Sequence, residues 1–401
     1  MLRIHSEIGK LNQVIVHRPG NEFKMVHPSM LAEQLFAATP FLSGAQKEHD
    51  AFTGILRDAG VEVIELRDLF SKAMNDAHAR RHFTDDFIKA SHIQSKGLAK
   101  SLAAYYDSLS VEDFVERVFC GIRGDTTDVM DSATLAGLTT GNSLFLVRPL
   151  TNAYFTRDAC VNVGYNYFLS RMATVERERE PLLYKYAIEY TDVYKGKPTK
   201  NIYDPKYPWH IEGGCFMQLN ADTVLIGCSP RTDTRAIEQL IDPLYDQGVT
   251  NIYIFDFTNT HEVLFFDDML SMVDAETFIF NPLLSGIVPV YKIVPNPDGD
   301  PYLSFVSDDW KVALEKALGA KPNFIPCGGD DPITSAWETW NMGSNLLTIA
   351  PGEVVGLARA EVTLDLLDKA GIKVHSFACP ELTRGRAGCR CMALPVNRDE
   401  I

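Results

Sequence analysis

The sequence predicts an α/β protein, and two observations carry that prediction. The first is a recurring unit: an amphipathic helix ends near a glycine and a β-branched strand follows at once. It appears as AFTGILRDAG-VEVIEL, AIEQLIDPLYDQG-VTNIYIFDF, WKVALEKALGA-KPNFIPC and VTLDLLDKAG-IKVHSFAC. Gly60, Gly248 and Gly371 stand where a helix C-cap belongs, and Gly319 closes the third helix. The second observation is a stretch from about Leu69 to Asp128 with helical periodicity and hardly any strand signal. Strand–helix–strand modules at irregular spacing form either one open doubly wound sheet or small sheets set radially about an axis. The pattern alone leaves both open.

Taken in order, the first strand candidate is Gln13–His17, ahead of the first helix–glycine–strand unit. The strand-poor stretch reads as a helical insertion, with FIKASHIQSKGLAKSLAAYYDSL and SVEDFVERVF as its clearest helices. Ser110, with Asp113 three residues on, has the form of a helix start. The α/β pattern resumes around Ser143. The predicted division is a body of residues 1–70 and 142–401 around an insertion at 71–141. Residues 176–208, rich in Arg, Glu, Lys, Tyr and Pro, read as surface loops with a short helix. Thr223–Cys228 and Leu346–Ala350 are further strand candidates.

Composition bounds the function. The chain has 401 residues, is 46% hydrophobic and 23% charged, and carries a formal net charge of −15. It has ample apolar material for a large core. Nucleic-acid and anionic-membrane partners are expected to be absent, because their electrostatic footprint is basic. The first residues lack the apolar segment of a signal peptide, and no apolar run approaches bilayer length. Eight scattered cysteines form neither a disulfide framework nor paired zinc signatures. The expectation is a cytoplasmic protein with reduced thiols.

Candidate chemistry lies in five places. Residues 384–395 read RGRAGCRCMALP, and neighbouring arginines favour the reactive thiolate, so Cys391 is a candidate nucleophile. Four polar clusters interrupt apolar strands: Asn152 to Asp158, His210 to Cys215, Gly227 to Thr232, and Phe265 to Asp268. Carboxylates and arginines beside glycines at strand ends are what a ligand site looks like in an α/β protein. Singly, each has a plainer account: a surface ion pair for Arg157–Asp158, a turn for Glu212, a helix cap for the segment Arg231 to Asp233.

Together these motifs resemble the arginine deiminases, members of the guanidine-modifying (amidinotransferase) superfamily. The resemblance runs from SEIGKLNQVIVHRPG and AQKEHDAF through PLTNAYFTRDA, RERE at 177–180, IEGG at 211–214 and SPRT at 229–232. It ends with WNMGSN at 340–345, IAPGEVV and GRAGCRCM. It implies a five-bladed α/β propeller, the pentein fold, with a helical-bundle insertion. It further implies a cytoplasmic homo-oligomer that needs no metal or organic cofactor and converts L-arginine and water to L-citrulline and ammonia. In that chemistry a thiolate attacks the guanidinium carbon, ammonia leaves, and water hydrolyses the amidino-enzyme. The resemblance makes Cys391 the nucleophile, Asp158 and Asp267 the guanidinium-binding carboxylates, and Glu212 the proton shuttle. It assigns Asn152, Arg177 and Arg231 to the substrate carboxylate and Arg386 to the loop over the site.

The departures fall at the chemistry. Where the family has a catalytic histidine this chain has Phe265, and His261 is four residues away. Cys215, Met342 and the pair Ala37–Ala38 stand where the family has aspartates, and Cys389 stands at a family proline. Phenylalanine moves no proton, and losing a general acid–base costs about 10²–10⁴-fold in rate. Three functions follow: an arginine deiminase-like hydrolase with altered acid–base machinery, a hydrolase of a different amino acid with a modified side chain, or a non-catalytic ligand-binding or assembly paralogue.

Overall fold

Each of the four helix–glycine–strand units folds as a crossover between two parallel strands. In this computed structural model, which describes residues 1–126, 144–204, 206–258, 264–294, 296 and 299–401, the glycines after the four helices all have positive φ, between 71° and 91°. There the missing Cβ removes the steric penalty of the left-handed region. Helix Leu42–Asp58 returns the chain so that Glu62–Glu65 pairs in parallel with Leu11–Val16. Helix Thr234–Tyr245 does the same for Asn251–Asp256 and Thr223–Cys228. Helix Trp310–Leu318 leads to Asn323–Pro326 beside Thr277–Phe280, and helix Glu361–Lys369 to Lys373–Phe377 beside Glu353–Leu357.

The first strand of each parallel pair also carries an antiparallel neighbour: Leu394–Arg398, Phe216–Gln218, Leu270–Met272 and Leu347–Ala350 respectively. The units therefore make separate small sheets rather than one open doubly wound sheet. A hairpin of Cys160–Val163 and Asn166–Leu169 forms a further sheet, and the sheet of Asn251–Asp256 is widened by Val290–Val294 and Tyr302–Ser307. Because Leu394–Arg398 pairs with Leu11–Val16, the two ends of the chain close on each other.

The strand-poor stretch contains helices Leu66–Met74, Ala77–Ala90, Lys96–Ser108 and Val111–Cys120. Ser110 caps the last of these through the Asp113 N–H, as its spacing predicts. The helical run then gives way to a strand, Ile122–Arg123, paired with Phe145–Val147. The predicted insertion residues 127–141 lie outside the described residues. Phe70, Phe83, Phe114 and Phe119 are all fully buried in one cluster.

Residues 176–208 hold the expected short helix, Glu180–Tyr190, with loops on either side, but the helix is not a surface feature: it packs into the same helical cluster, and Arg177, Arg179 and Glu180 are buried. Charge suggested solvent, but Arg177, in the turn ahead of the helix, and Glu180 at its start neutralise each other at 2.8 Å. No described helix is long and apolar enough to cross a membrane.

Candidate active site

Five polar side chains occupy the same station in five of the six described sheets, just before a strand whose pairing is wholly antiparallel. Asp158 precedes Cys160–Val163, Glu212 precedes Phe216–Gln218, and Asp267 precedes Leu270–Met272. Asn345 precedes Leu347–Ala350, and Cys391 precedes Leu394–Arg398. Each of these five sheets thus contributes one polar side chain. Short 3-10 turns at Gly213–Cys215 and Phe266–Asp268 aim two of them.

Cys391 is buried and is held by Asn345. The Asn345 Oδ1 accepts from the backbone N–H of Arg390 at 3.0 Å and of Cys391 at 3.2 Å, while its Nδ2 lies 3.1 Å from Cys391 Sγ. The thiol donates toward Asp267 Oδ2 at 3.6 Å. That same oxygen accepts from Arg390 Nη1 at 2.8 Å, and the rest of the Arg390 guanidinium is taken by Glu7 and the Phe216 carbonyl.

This corrects the expectation that nearby arginines make Cys391 a ready thiolate. Burial, reinforced by Asp267, Asp268 and Asp158, pushes the thiol well above its ordinary range. The positive charge of the tail is spent elsewhere: Arg390 on Glu7 and Asp267, Arg384 on Glu381, and Arg386 against the Trp340 ring, 4.8 Å from its centroid. Cys389 is also buried, and burial raises its thiol. Cys215 lies 3.5 Å from the Ser229 hydroxyl and burial pushes it up to about 12.

A cavity of about 460 Å³, including its open mouth, meets the thiol. Asn152, Asp158, Arg177, Phe265, Arg386 and Cys391 line it, together with Asp268 and the apolar Leu35, Phe155 and Leu264. Asp158 Oδ2 accepts from Arg177 Nη1 at 2.7 Å, and Arg177 is also clamped by Glu180. Glu212 Oε1 accepts from the Ala173 N–H at 2.8 Å and lies 3.5 Å from Arg231 Nη1. Burial raises the Glu212 and Asp267 carboxyls above the usual carboxylate range, against the pull of Arg231 and Arg390 respectively.

Of the expected residues, then, Asn152, Asp158, Arg177, Arg386 and Cys391 share one cavity, with Asp267 in contact with the thiol. Arg231 and Glu212 do not line it. The Arg231 guanidinium packs against the Phe265 ring, 5.3 Å from its centroid. His261 lies outside the described residues. Asn345, Arg390, Glu7, Asp268 and Glu180 received no role from sequence. WNMGSN and the Arg–Cys pair of the tail were signals for two of them; Glu7, far away in the chain, had none. Donor atoms of Asp267, Asp268 and Cys391 lie within 4.8 Å of one another, the one such group among the described residues. An ion there would compete with Arg390 for Asp267.

Comparison with known proteins points one way. A family profile described as arginine deiminase matches residues 32–398. Arginine deiminase of Streptococcus agalactiae is 35% identical over 408 residues, covering 100% of this chain and 98% of that protein. The arginine deiminase of Streptococcus pyogenes serotype M49 is 34% identical with the same coverage. Among solved structures, the amidinotransferase SxtG from Microseira wollei aligns with a TM-score of 0.58 at 15% identity, covering 100% of this chain and 98% of that one. Dimethylarginine dimethylaminohydrolase from Pseudomonas aeruginosa, complexed with citrulline, aligns at 0.54 and 14% identity, covering 96% and 99%. The chain shares the fold of these proteins.

Proposed function

Because the chain belongs to the arginine deiminase family, we propose that it hydrolyses L-arginine to L-citrulline and ammonia through a covalent intermediate on Cys391. The observation that carries this is the meeting, at one cavity, of the Asp158–Arg177 pair and the Cys391 thiol, which donates toward Asp267 behind it. A hydrolase of carbon–nitrogen bonds in a linear amidine needs those groups: a nucleophile, carboxylates that face a planar cation, and a cation that faces the substrate carboxylate.

The substrate guanidinium lies against Asp158 and Asp267, beside the thiol. Its positive charge favours the thiolate that burial opposes. The thiol proton passes to Asp267, and the sulfur bonds to the guanidinium carbon. The proton then goes to the departing nitrogen, ammonia leaves, and Cys391 carries a thiouronium. Water attacks that carbon and gives up a proton to a buried carboxylate, for which Glu212 is suited by its raised affinity for protons. The carbon–sulfur bond breaks, the thiol regains a proton, and citrulline departs. Arg177, Asn152 and Arg386 serve the amino-acid end. Homo-oligomeric assembly and a cytoplasmic setting, expected from the resemblance, belong to this proposal too.

Phe265 makes this a slow enzyme. The test is steady-state citrulline and ammonia release by purified wild type, Phe265→His and Cys391→Ala. Weak wild-type turnover, an increase with Phe265→His and none with Cys391→Ala are expected. Robust turnover in Cys391→Ala would overturn the nucleophile assignment. Absence of turnover in every variant, with arginine still bound, would favour the non-catalytic ligand-binding alternative.

A further inference from the structure

We infer that the Phe265 side chain is a plug seated between the two guanidinium-facing carboxylates, and that it must turn aside before a substrate cation can enter. The inference rests on the deiminase reading and adds a gate to it. Gly214 locates the ring: a Cβ built on that glycine would lie 2.6 Å from Phe265 Cδ1, 3.0 Å from Asp158 Oδ1 and 3.1 Å from Asp267 Oδ1. One point therefore touches the ring edge and an oxygen of each carboxylate. Both oxygens are buried and have no hydrogen-bond partner among the described residues. Glu212 Oε2 is likewise buried without a hydrogen-bond partner among the described residues.

A phenyl edge offers carboxylate oxygens no hydrogen bond. Leaving a buried acceptor unsatisfied is unfavourable, more so when it is charged. A planar cation with N–H groups on two edges would satisfy both oxygens at once; a neutral ureido group or a single ammonium would not do so equally well. The ring-in state is thus poised to yield to a guanidinium. The backbone beside it is fixed: the Leu264 carbonyl accepts from the Ser229 hydroxyl at 2.7 Å, and Phe266 and Asp267 are buried in the following turn. The motion is accordingly a side-chain rotation, with the ring leaving the face of Arg231. It also opens the path from the cavity to Arg231 and Glu212, which do not line the cavity while the ring is in.

If the open state is the minor one, at about 0.1–10% of molecules, apparent affinity and uptake are reduced by that fraction, and removing the ring restores them by about 10- to 1,000-fold. The test uses full-length Cys391→Ala protein, so that no turnover intervenes, and follows L-arginine uptake by stopped-flow tryptophan fluorescence, with Trp340 at the Arg386 side of the mouth as reporter. The parent should show a slow rate that saturates with arginine. Adding Phe265→Ala should give faster uptake that rises linearly with concentration, and Phe265→Leu, which keeps an apolar side chain for folding, should fall between. Equal rates in all three would overturn the plug and leave the deiminase reading standing. Failure of arginine to bind any of the three, each folded by near-ultraviolet circular dichroism, would overturn the deiminase reading and the plug with it.

Discussion

Asn345 holds Cys391 through both ends of its amide: the oxygen takes two backbone N–H groups of the tail and the nitrogen faces the sulfur. Asn345→Asp keeps the acceptor and removes the donor to sulfur. A hydrogen bond to a charged group contributes about 1.5–3 kcal/mol, so kcat for citrulline release should fall about 10- to 100-fold with little change in KM. An unchanged kcat would show that this contact does not act on the thiolate. Residue by residue, the site was legible where a group sits in a distinctive local string, as Cys391, Asp158 and Arg177 do. It was not legible where charge is matched over distance. The expectation of an activated thiol counted Arg390 as a neighbour in sequence, whereas its guanidinium is engaged by Glu7, 383 residues away.

At the scale of elements, the four crossovers could be read from sequence because their signals are local. A 3.6-residue period, a glycine with positive φ and a β-branched run each act within a few residues. The helix Glu180–Tyr190 was expected but its burial was not, because its charged start looked solvated. The turn from Gly388 to Cys391 gives this scale its own prediction. A Cβ on Gly388 would run into the Asn345 side chain and displace it. Gly388→Ala should therefore lower activity by at least as much as Asn345→Asp, while leaving the far-ultraviolet circular dichroism spectrum unchanged. Full activity in Gly388→Ala would mean that the turn has slack the packing does not suggest.

Across the whole molecule, buried charges join segments that are remote in the chain. Glu7 sits with Arg390 and Arg157, and although burial opposes ionisation, these arginines hold its carboxyl down at about 2. His17, at the end of the first strand candidate, lies fully buried between Glu22 and Glu65 at 3.0 Å each and stacks on Phe119 of the helical cluster. Burial alone would lower its pKa, but the two carboxylates raise it to about 9. The folded value exceeds the unfolded one, so this stabilisation is complete below pH of about 6.5 and is lost as pH rises through about 9. Unfolding free energy from urea titrations should fall on the order of 3 kcal/mol across that window from this group. His17→Gln should be less stable at neutral pH and lose most of the slope. An unchanged slope would place the titration elsewhere. The alternative of one open sheet could not be removed from sequence, because sheet membership depends on which distant strands pair; the pairing of the chain's two ends is the extreme case.

The proposal depends most on a bond between Cys391 and the substrate carbon. Acid-quenched mixtures of wild-type protein and L-arginine, analysed by intact-protein and peptide mass spectrometry, test it directly. The predicted result is a species heavier by one arginine less one ammonia, mapped to the peptide that contains Cys391 and absent from Cys391→Ala. Citrulline formation by wild type with no such species at any quench time, and undiminished in Cys391→Ala, would contradict it.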